Sequence, residues 1–225
     1  MDKKIIIFGF IVIILIGSIY LKFKYDSKKG LENVRKDVGI LILENKIQNG
    51  DIIFQTSLSN QSKAIQIATK SEYSHCGIIY KEENDYFVFE AIQPVKQTNL
   101  ENWIARGKDS HFVIKRLKNS EQILTKETLR KMKNIGSKFI GKDYDLTFEW
   151  SDDKIYCSEL IWKIYKRATG IEIGKLEKLK NFDLSNETVK SIMKKRYGNT
   201  IPENEIVISP VAIFESEKLK TIISN

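Results

Sequence analysis

Thiols and imidazoles are scarce in this chain. Its 225 residues include two cysteines, Cys76 and Cys157, and two histidines, His75 and His111. Two cysteines are too few for a disulfide framework and too few for a structural zinc site. The sequence also has no glycine-rich phosphate loop, no zinc-finger or ribonucleoprotein motif, no internal repeat and no low-complexity segment. The same scarcity makes the list of possible nucleophile–base pairs very short.

Hydrophobic residues make up 42% of the chain, which supports a packed core and argues against wholesale disorder. Thirty-seven Lys and Arg against 29 Asp and Glu give a net charge of +8. That excess favours anionic surfaces such as lipid headgroups or cell-wall polymers. The positive charges are scattered and no recognition motif accompanies them, so a solvated surface is the better reading and no nucleic-acid partner is expected.

Residues 5–21 form an uncharged run dominated by isoleucine. Lys3 and Lys4 precede it, and Lys22, Lys24, Lys28 and Lys29 follow. At ~1.5 Å per residue the run nearly crosses a hydrocarbon core. The expectation is an uncleaved membrane anchor, with residues 22–30 as a basic tether. The alternative is a signal peptide whose cleavage would leave a secreted domain, but Gly17-Ser18 is a poor cleavage site. No cysteine follows the run, which excludes a lipoprotein anchor. Lysine is more abundant after the run than before it, which alone would keep the domain inside. A short tail before an export-like segment argues for the outside, and that orientation is the one expected. Residues 31–225 are read as a single domain.

Within that domain, apolar spacing predicts a helix over 31–48, stopped by Gly50-Asp51, and a short buried strand over 51–54. A helix is expected over 62–69, a hairpin from 74–80 and 86–92, and a further strand over 111–117. Helices over 125–139 and 157–168 end at Gly141 and Gly170, and a last short strand covers 206–209. Strands and helices are segregated rather than alternating, which reads as α+β.

Cys157 opens its helix. A thiol in a first helical turn meets unpaired backbone N–H groups and the positive end of the dipole, and both favour the reactive thiolate. Taken alone, a lone cysteine is as often a small core residue. His75 lies in the apolar strand Ser74-His75-Cys76-Gly77-Ile78. Strand alternation puts Cys76 on the opposite face, where it reads as packing, and a Cys76–Cys157 disulfide is not expected. Glu90 ends the neighbouring apolar strand, where a carboxylate is costly to bury unless paired, and His75 is the obvious partner. Separately, each signal has an ordinary structural explanation. Together they form a nucleophile, a base and a group that orients the base.

These residues also carry a resemblance. Gly50-Asp51-Ile52-Ile53-Phe54, Tyr73-Ser74-His75-Cys76-Gly77-Ile78, Phe89-Glu90-Ala91, Tyr156-Cys157-Ser158-Glu159-Leu160 and Ile208-Ser209-Pro210 resemble the YiiX/YebB type of cysteine hydrolase, in the NlpC-like superfamily of papain-like enzymes. The likeness runs from about residue 46 to 220. The order histidine, glutamate, cysteine is that of the circularly permuted branch. The resemblance implies a cysteine helix packed on a small antiparallel sheet, with Cys157, His75 and Glu90 in the catalytic roles. Tyr144, in Gly141-Lys142-Asp143-Tyr144, matches a family tyrosine and is expected to line the cleft, although an aromatic core residue would read the same way. Cys76 departs from the family, which more often has an aliphatic residue there. The implied chemistry is amide cleavage through a thioester acyl-enzyme, on a peptide-like and possibly cell-wall substrate, with no metal or cofactor. A lipid esterase or acyltransferase is the alternative within the same triad. A non-catalytic ligand-binding module on the same fold is the alternative from outside enzymology.

Overall fold

The computed structural model describes residues 3–225, with side chains for all of these except residues 3–15, 43 and 60. The elements follow in chain order: α1 (Lys3–Leu43), β1 (Ile52–Gln55), α2 (Asn60–Thr69), β2 (His75–Glu82), β3 (Asp85–Glu90), β4 (Lys96–Asn99), α3 (Leu100–Ala105) and β5 (Val113–Leu117). Then come α4 (Ser120–Ile123), α5 (Lys126–Ser137), α6 (Cys157–Thr169), β6 (Glu177–Lys178), α7 (Glu187–Tyr197), β7 (Ile206–Val207), α8 (Pro210–Phe214) and β8 (Leu219–Ser224).

The unbroken apolar runs of β1 and β2 follow from burial on both faces. Ile52, Phe54, Cys76, Ile78, Tyr80 and Phe89 point to one side, where α6 completes the core with Leu160, Ile161 and Ile164. Ile53, Ile79, Val88 and Ile114 point to the other, against Leu100, Trp103 and Ile104 of α3 and Val34 and Val38 of α1. Six strands form one antiparallel sheet in the order β4-β3-β2-β1-β5-β8, while β6 and β7 pair separately. A third small cluster, Ala64, Leu179, Val189 and Met193, joins α2 to α7 beside the sheet. This is the expected α+β arrangement of a small antiparallel sheet packed against helices.

Register brings the chemistry to one end of the sheet. In the β1–β2 pair Gln55 lies opposite His75, so the histidine stands at the very start of β2. In the β2–β3 hairpin Ile78 faces Phe89, which sets Glu90 level with Gly77 and its side chain beside His75. The absence of a side chain at position 77 matters here. A Cβ on Gly77 would come within 2.3 Å of Val88 Cγ1 and 3.0 Å of the Phe89 carbonyl oxygen, and would push the two strands apart just where the histidine and glutamate must meet.

Three expectations change. The helix expected over 31–48 ends at Leu43 and extends back without interruption, so residues 22–30 are helical rather than a separate tether element. Residues 21–30 of that helix are exposed, and the first buried contacts among the described side chains come at Val34 and Val38. The expected membrane span over 5–21 falls largely on side chains outside the described residues; among the described residues no helix is long and apolar enough to cross a membrane. Finally, β4, α3 and β8 are elements that apolar periodicity does not announce.

The exposure of residues 21–30 against the burial of Val34 and Val38 divides α1 energetically. A chain shortened to begin at Lys28 is expected to melt within a few degrees of the full chain. Val38→Asp buries an unpaired charge and should cost about 3 kcal/mol or more. Thermal melts of the three proteins check this, and a large loss of stability on shortening alone would refute the division.

Candidate active site

Cys157 is the first residue of α6, and the residues around it fix that helix end from several sides. Glu159 Oε2 accepts from the Tyr156 N–H at 3.4 Å. Ser158 Oγ donates to the Ile208 carbonyl at 2.7 Å, and the Ile208 N–H donates to the Tyr156 hydroxyl at 3.0 Å. Both residues flanking the cysteine are thus tied to the segment after β7. That segment then turns into α8, with Ser209 as its capping residue and Pro210 in its first turn. The amides of the first turn have no intrahelical acceptor, so the Cys157 N–H points out of the helix end as a free donor direction.

His75 Nε2 and Glu90 Oε2 are 2.6 Å apart. The imidazole lies nearly parallel to the Trp103 indole, with ring centroids 5.8 Å apart. Its other nitrogen, Nδ1, is the one left for the thiol. Glu90 is fully buried, and three more donors converge on it: Thr98 Oγ1 at 2.6 Å, Trp103 Nε1 at 2.9 Å and Arg106 Nη2 at 2.6 Å. Burial alone would push this carboxyl up, but the bond and charge of His75, the charge of Arg106 and the Thr98 hydroxyl outweigh it and hold it down at about 2. Burial works against protonated His75, yet its bonds to Cys157 and Glu90 and their negative charges raise it to about 9. The Cys157 thiol is held well below its ordinary value, first by a hydrogen bond from Cys76 and then, against burial, by the bond and charge of His75. Both shifts favour the thiolate–imidazolium form of the pair.

Cys76 plays a larger part than packing. Strand alternation does put it on the face opposite His75, but that face is the one α6 covers. The Cys76 thiol consequently meets Cys157, while His75 reaches the same sulfur from the strand end. Both cysteines are free and buried. Burial and the neighbouring thiolate push the Cys76 thiol well up, so it stays protonated and acts as a donor to Cys157.

Tyr144 sits beside this group. Residues 143–145 run alongside Ile155, with the Asp145 N–H donating to the Ile155 carbonyl at 3.2 Å and a bridge between Tyr144 and Ile155. The Tyr144 hydroxyl accepts from Gln61 Nε2 at 3.0 Å and interacts with Cys157. Burial, followed by the Cys157 charge, raises its pKa well above 10, so it remains a neutral donor. Gln61, Thr98, Trp103 and Arg106 were not legible as site residues in the sequence. His111, the second histidine, stacks on Tyr73 with centroids 6.5 Å apart and lies apart from this group.

Two clefts adjoin the site. One runs between α2 and α7 and is walled by Ile65, Ala68, Phe148, Leu184, Ile192 and Met193, with Cys157 in its lining. The other is the more polar of the two and carries His75 in its wall. Tyr144, Gln61 and Ile65 line both.

The electrostatics separate the two thiols. Iodoacetamide at neutral pH is expected to alkylate Cys157 and leave Cys76 unmodified in the folded protein. Peptide mapping checks this, and preferential modification of Cys76 would overturn the assignment of the two thiols.

Comparison with known proteins shows the family. The sequence pattern of the permuted papain-like amidase enzymes, the YaeF/YiiX, C92 family, matches residues 46–223. The uncharacterized protein YiiX of Escherichia coli K12 is 46% identical over 175 residues, covering 78% of this chain and 85% of that protein. The crystal structure described as metalloprotein yiiX from Escherichia coli O157:H7 superposes with a TM-score of 0.76 at 46% identity, covering 80% of this chain and 98% of the other. Among the described residues of this chain, no group of three or more His, Cys, Asp or Glu side chains is arranged to hold a metal ion. A match over residues 46–223, with the fold shared, makes this chain a member of the permuted papain-like amidase family.

Proposed function

We propose that this protein is a cysteine hydrolase that cleaves an amide bond through a thioester, with Cys157 as nucleophile, His75 as base and then acid, and Glu90 orienting the imidazole. The observation that carries this reading is the contact of His75 with both Glu90, at 2.6 Å, and the thiol at the start of α6. The thiolate attacks the carbonyl carbon, and the electron pair moves onto oxygen. The Cys157 N–H and the neutral Tyr144 hydroxyl are the donors that suit the oxyanion. As the tetrahedral species collapses, the C–N bond breaks and the nitrogen takes the proton of His75. Water, deprotonated by His75, then releases the acyl group as a carboxylic acid and restores the thiol. Glu90 keeps the ring in one orientation and favours its protonated form.

The shape of the first cleft favours a particular acyl group. A cell-wall peptide is polar, whereas the cleft lined by Cys157 is walled almost throughout by carbon. A long apolar acyl chain fits that environment, because each buried CH₂ is worth about 0.8 kcal/mol. This observation also favours a second reading, in which a lipid hydroxyl instead of water resolves the acyl-enzyme and the protein is an acyltransferase or, on an ester, a lipid esterase. An N-terminal membrane tether suits either reading: exposed Ile16, Ile19, Leu21 and Phe23 would seat the helix in lipid, with the domain outside the cytoplasm.

Kinetics test the triad. Cys157→Ala and His75→Ala should each abolish turnover to a similar degree, because they act as one unit. Glu90→Gln should lose roughly a hundredfold, since the amide still accepts a bond but no longer stabilises imidazolium. His111→Ala should be nearly silent. With the imidazolium as the acid, kcat is expected to fall as pH rises through about 9, where His75 loses its proton. Full activity in Glu90→Gln, or inactivity of His111→Ala with an active His75→Ala, would refute the assignment.

A cleft-filling substitution tests the acyl reading. Ala68→Trp should raise KM for p-nitrophenyl dodecanoate by roughly tenfold or more, through lost burial of several CH₂ groups, and leave p-nitrophenyl acetate nearly unchanged. Equal effects on the two esters would mean that the acyl chain lies elsewhere.

A further inference from the structure

The two clefts differ in kind, and His75 distinguishes their uses. Cys157 lines the apolar cleft, whereas His75 lines only the more polar one. The atom that leaves must receive its proton from His75. The leaving group therefore departs on the polar side, while the acyl chain lies on the apolar side. Ser57, Ser59 and Ser74 supply hydroxyls to the polar wall, and Gln93 its amide.

That wall is also one-signed. Among the described residues Arg106 is, apart from His75, its only ionisable cation, and no carboxylate lines it. Arg106 gives one N–H to Glu90 at 2.6 Å, and its side chain is 42% exposed. Among the described residues no other partner takes its remaining side-chain donors. A guanidinium carries five N–H groups in a planar fork that matches an oxyanion. The Glu90 contact fixes that fork, so a second oxyanion would meet a cation already oriented, without the usual cost of ordering a long side chain.

We infer that Arg106 is a specificity residue that binds an anionic group, a carboxylate or a phosphate, carried by the amine that leaves when the amide is cleaved. This rests on the hydrolase reading above and deepens it. The substrate class is an N-acyl amine with an apolar acyl chain and an acidic head, such as an N-acyl amino acid with a free carboxylate. Cleavage adds one water across the amide: the C–N bond breaks, the nitrogen leaves with the proton from His75, and the acyl group leaves as an acid. Arg106 holds the head group throughout and exchanges no proton.

Three N-dodecanoyl amides test this, those of glycine, glycinamide and phosphoethanolamine, with p-nitrophenyl dodecanoate as a separate reporter of Cys157-dependent hydrolysis. The full-length protein should show a kcat/KM for the glycine or the phosphoethanolamine amide roughly tenfold or more above that for glycinamide, the worth of one charge-assisted hydrogen bond. The arm with the larger preference separates a carboxylate from a phosphate. Arg106→Gln perturbs Glu90 and lowers all rates together, but it should also bring the anionic-to-neutral ratio to about one through KM. Arg106→Lys should keep part of the ratio. Purely structural damage lowers rates without moving the ratio. A native ratio near one, with the ester still hydrolysed, would overturn the inference and leave the hydrolase reading standing, and this holds even if the Arg106 variants do not fold. A ratio preserved in Arg106→Gln would overturn the role of Arg106. Failure to hydrolyse the ester or any amide would refute the hydrolase reading, and the inference with it.

Discussion

A single carboxylate buried at the end of the sheet sets the terms for the site around it. An unpaired charge at the position of Glu90 would cost several kcal/mol, and breaking a buried pair costs about 3–5 kcal/mol. The fold meets that demand with four donors drawn from β2, β4, α3 and the residue that closes α3. The hydrogen bonds that keep Glu90 ionised also fix the histidine, the tryptophan on which it lies and the arginine at the cleft. Electrostatic need and the geometry of the site are therefore met by the same contacts.

Much of this was legible in the chain, and what was missed has physical reasons. The β2–β3 hairpin and α6 are strongly patterned, so Cys157, His75 and Glu90 could be brought together before any coordinates. The strand β4 could not be seen, because Lys96-Gln97-Thr98-Asn99 is polar and is held by backbone pairing at a sheet edge. The helix α7 was hidden in a lysine-rich stretch, where Val189 and Met193 pack on α2 between exposed basic residues. Arg106 lies sixteen residues from Glu90 with no periodicity linking them. Cys76 is the instructive case. Period-two alternation gave its face correctly, yet facing away from the base was not facing away from the nucleophile, because the ring reaches around the strand end.

The cysteine side of the site depends equally on parts remote in sequence. Cys157 is held between two bonds to Ile208, one from Ser158 and one to Tyr156, and Ser209-Pro210 then starts α8 at once. The segment Ile208-Ser209-Pro210 is thus a brace for the start of the Cys157 helix. Tyr144 is held in a comparable way by the strand-like pairing with residue 155 and by Gln61.

The order of these parts along the chain has a consequence in time. A polypeptide leaves the ribosome from its N-terminus, so the histidine and its carboxylate emerge well before the thiol. The brace at Ile208 emerges later still, followed by the edge strand Leu219–Ser224 that pairs with β5. A nascent chain can close the His75–Glu90 pair while Cys157 is not yet made, and can expose Cys157 while the contacts that hold it are missing. The site is therefore complete only after the segment around Ile208 has emerged, and a chain cut short before residue 208 carries the His75–Glu90 pair but lacks the contacts that hold Cys157.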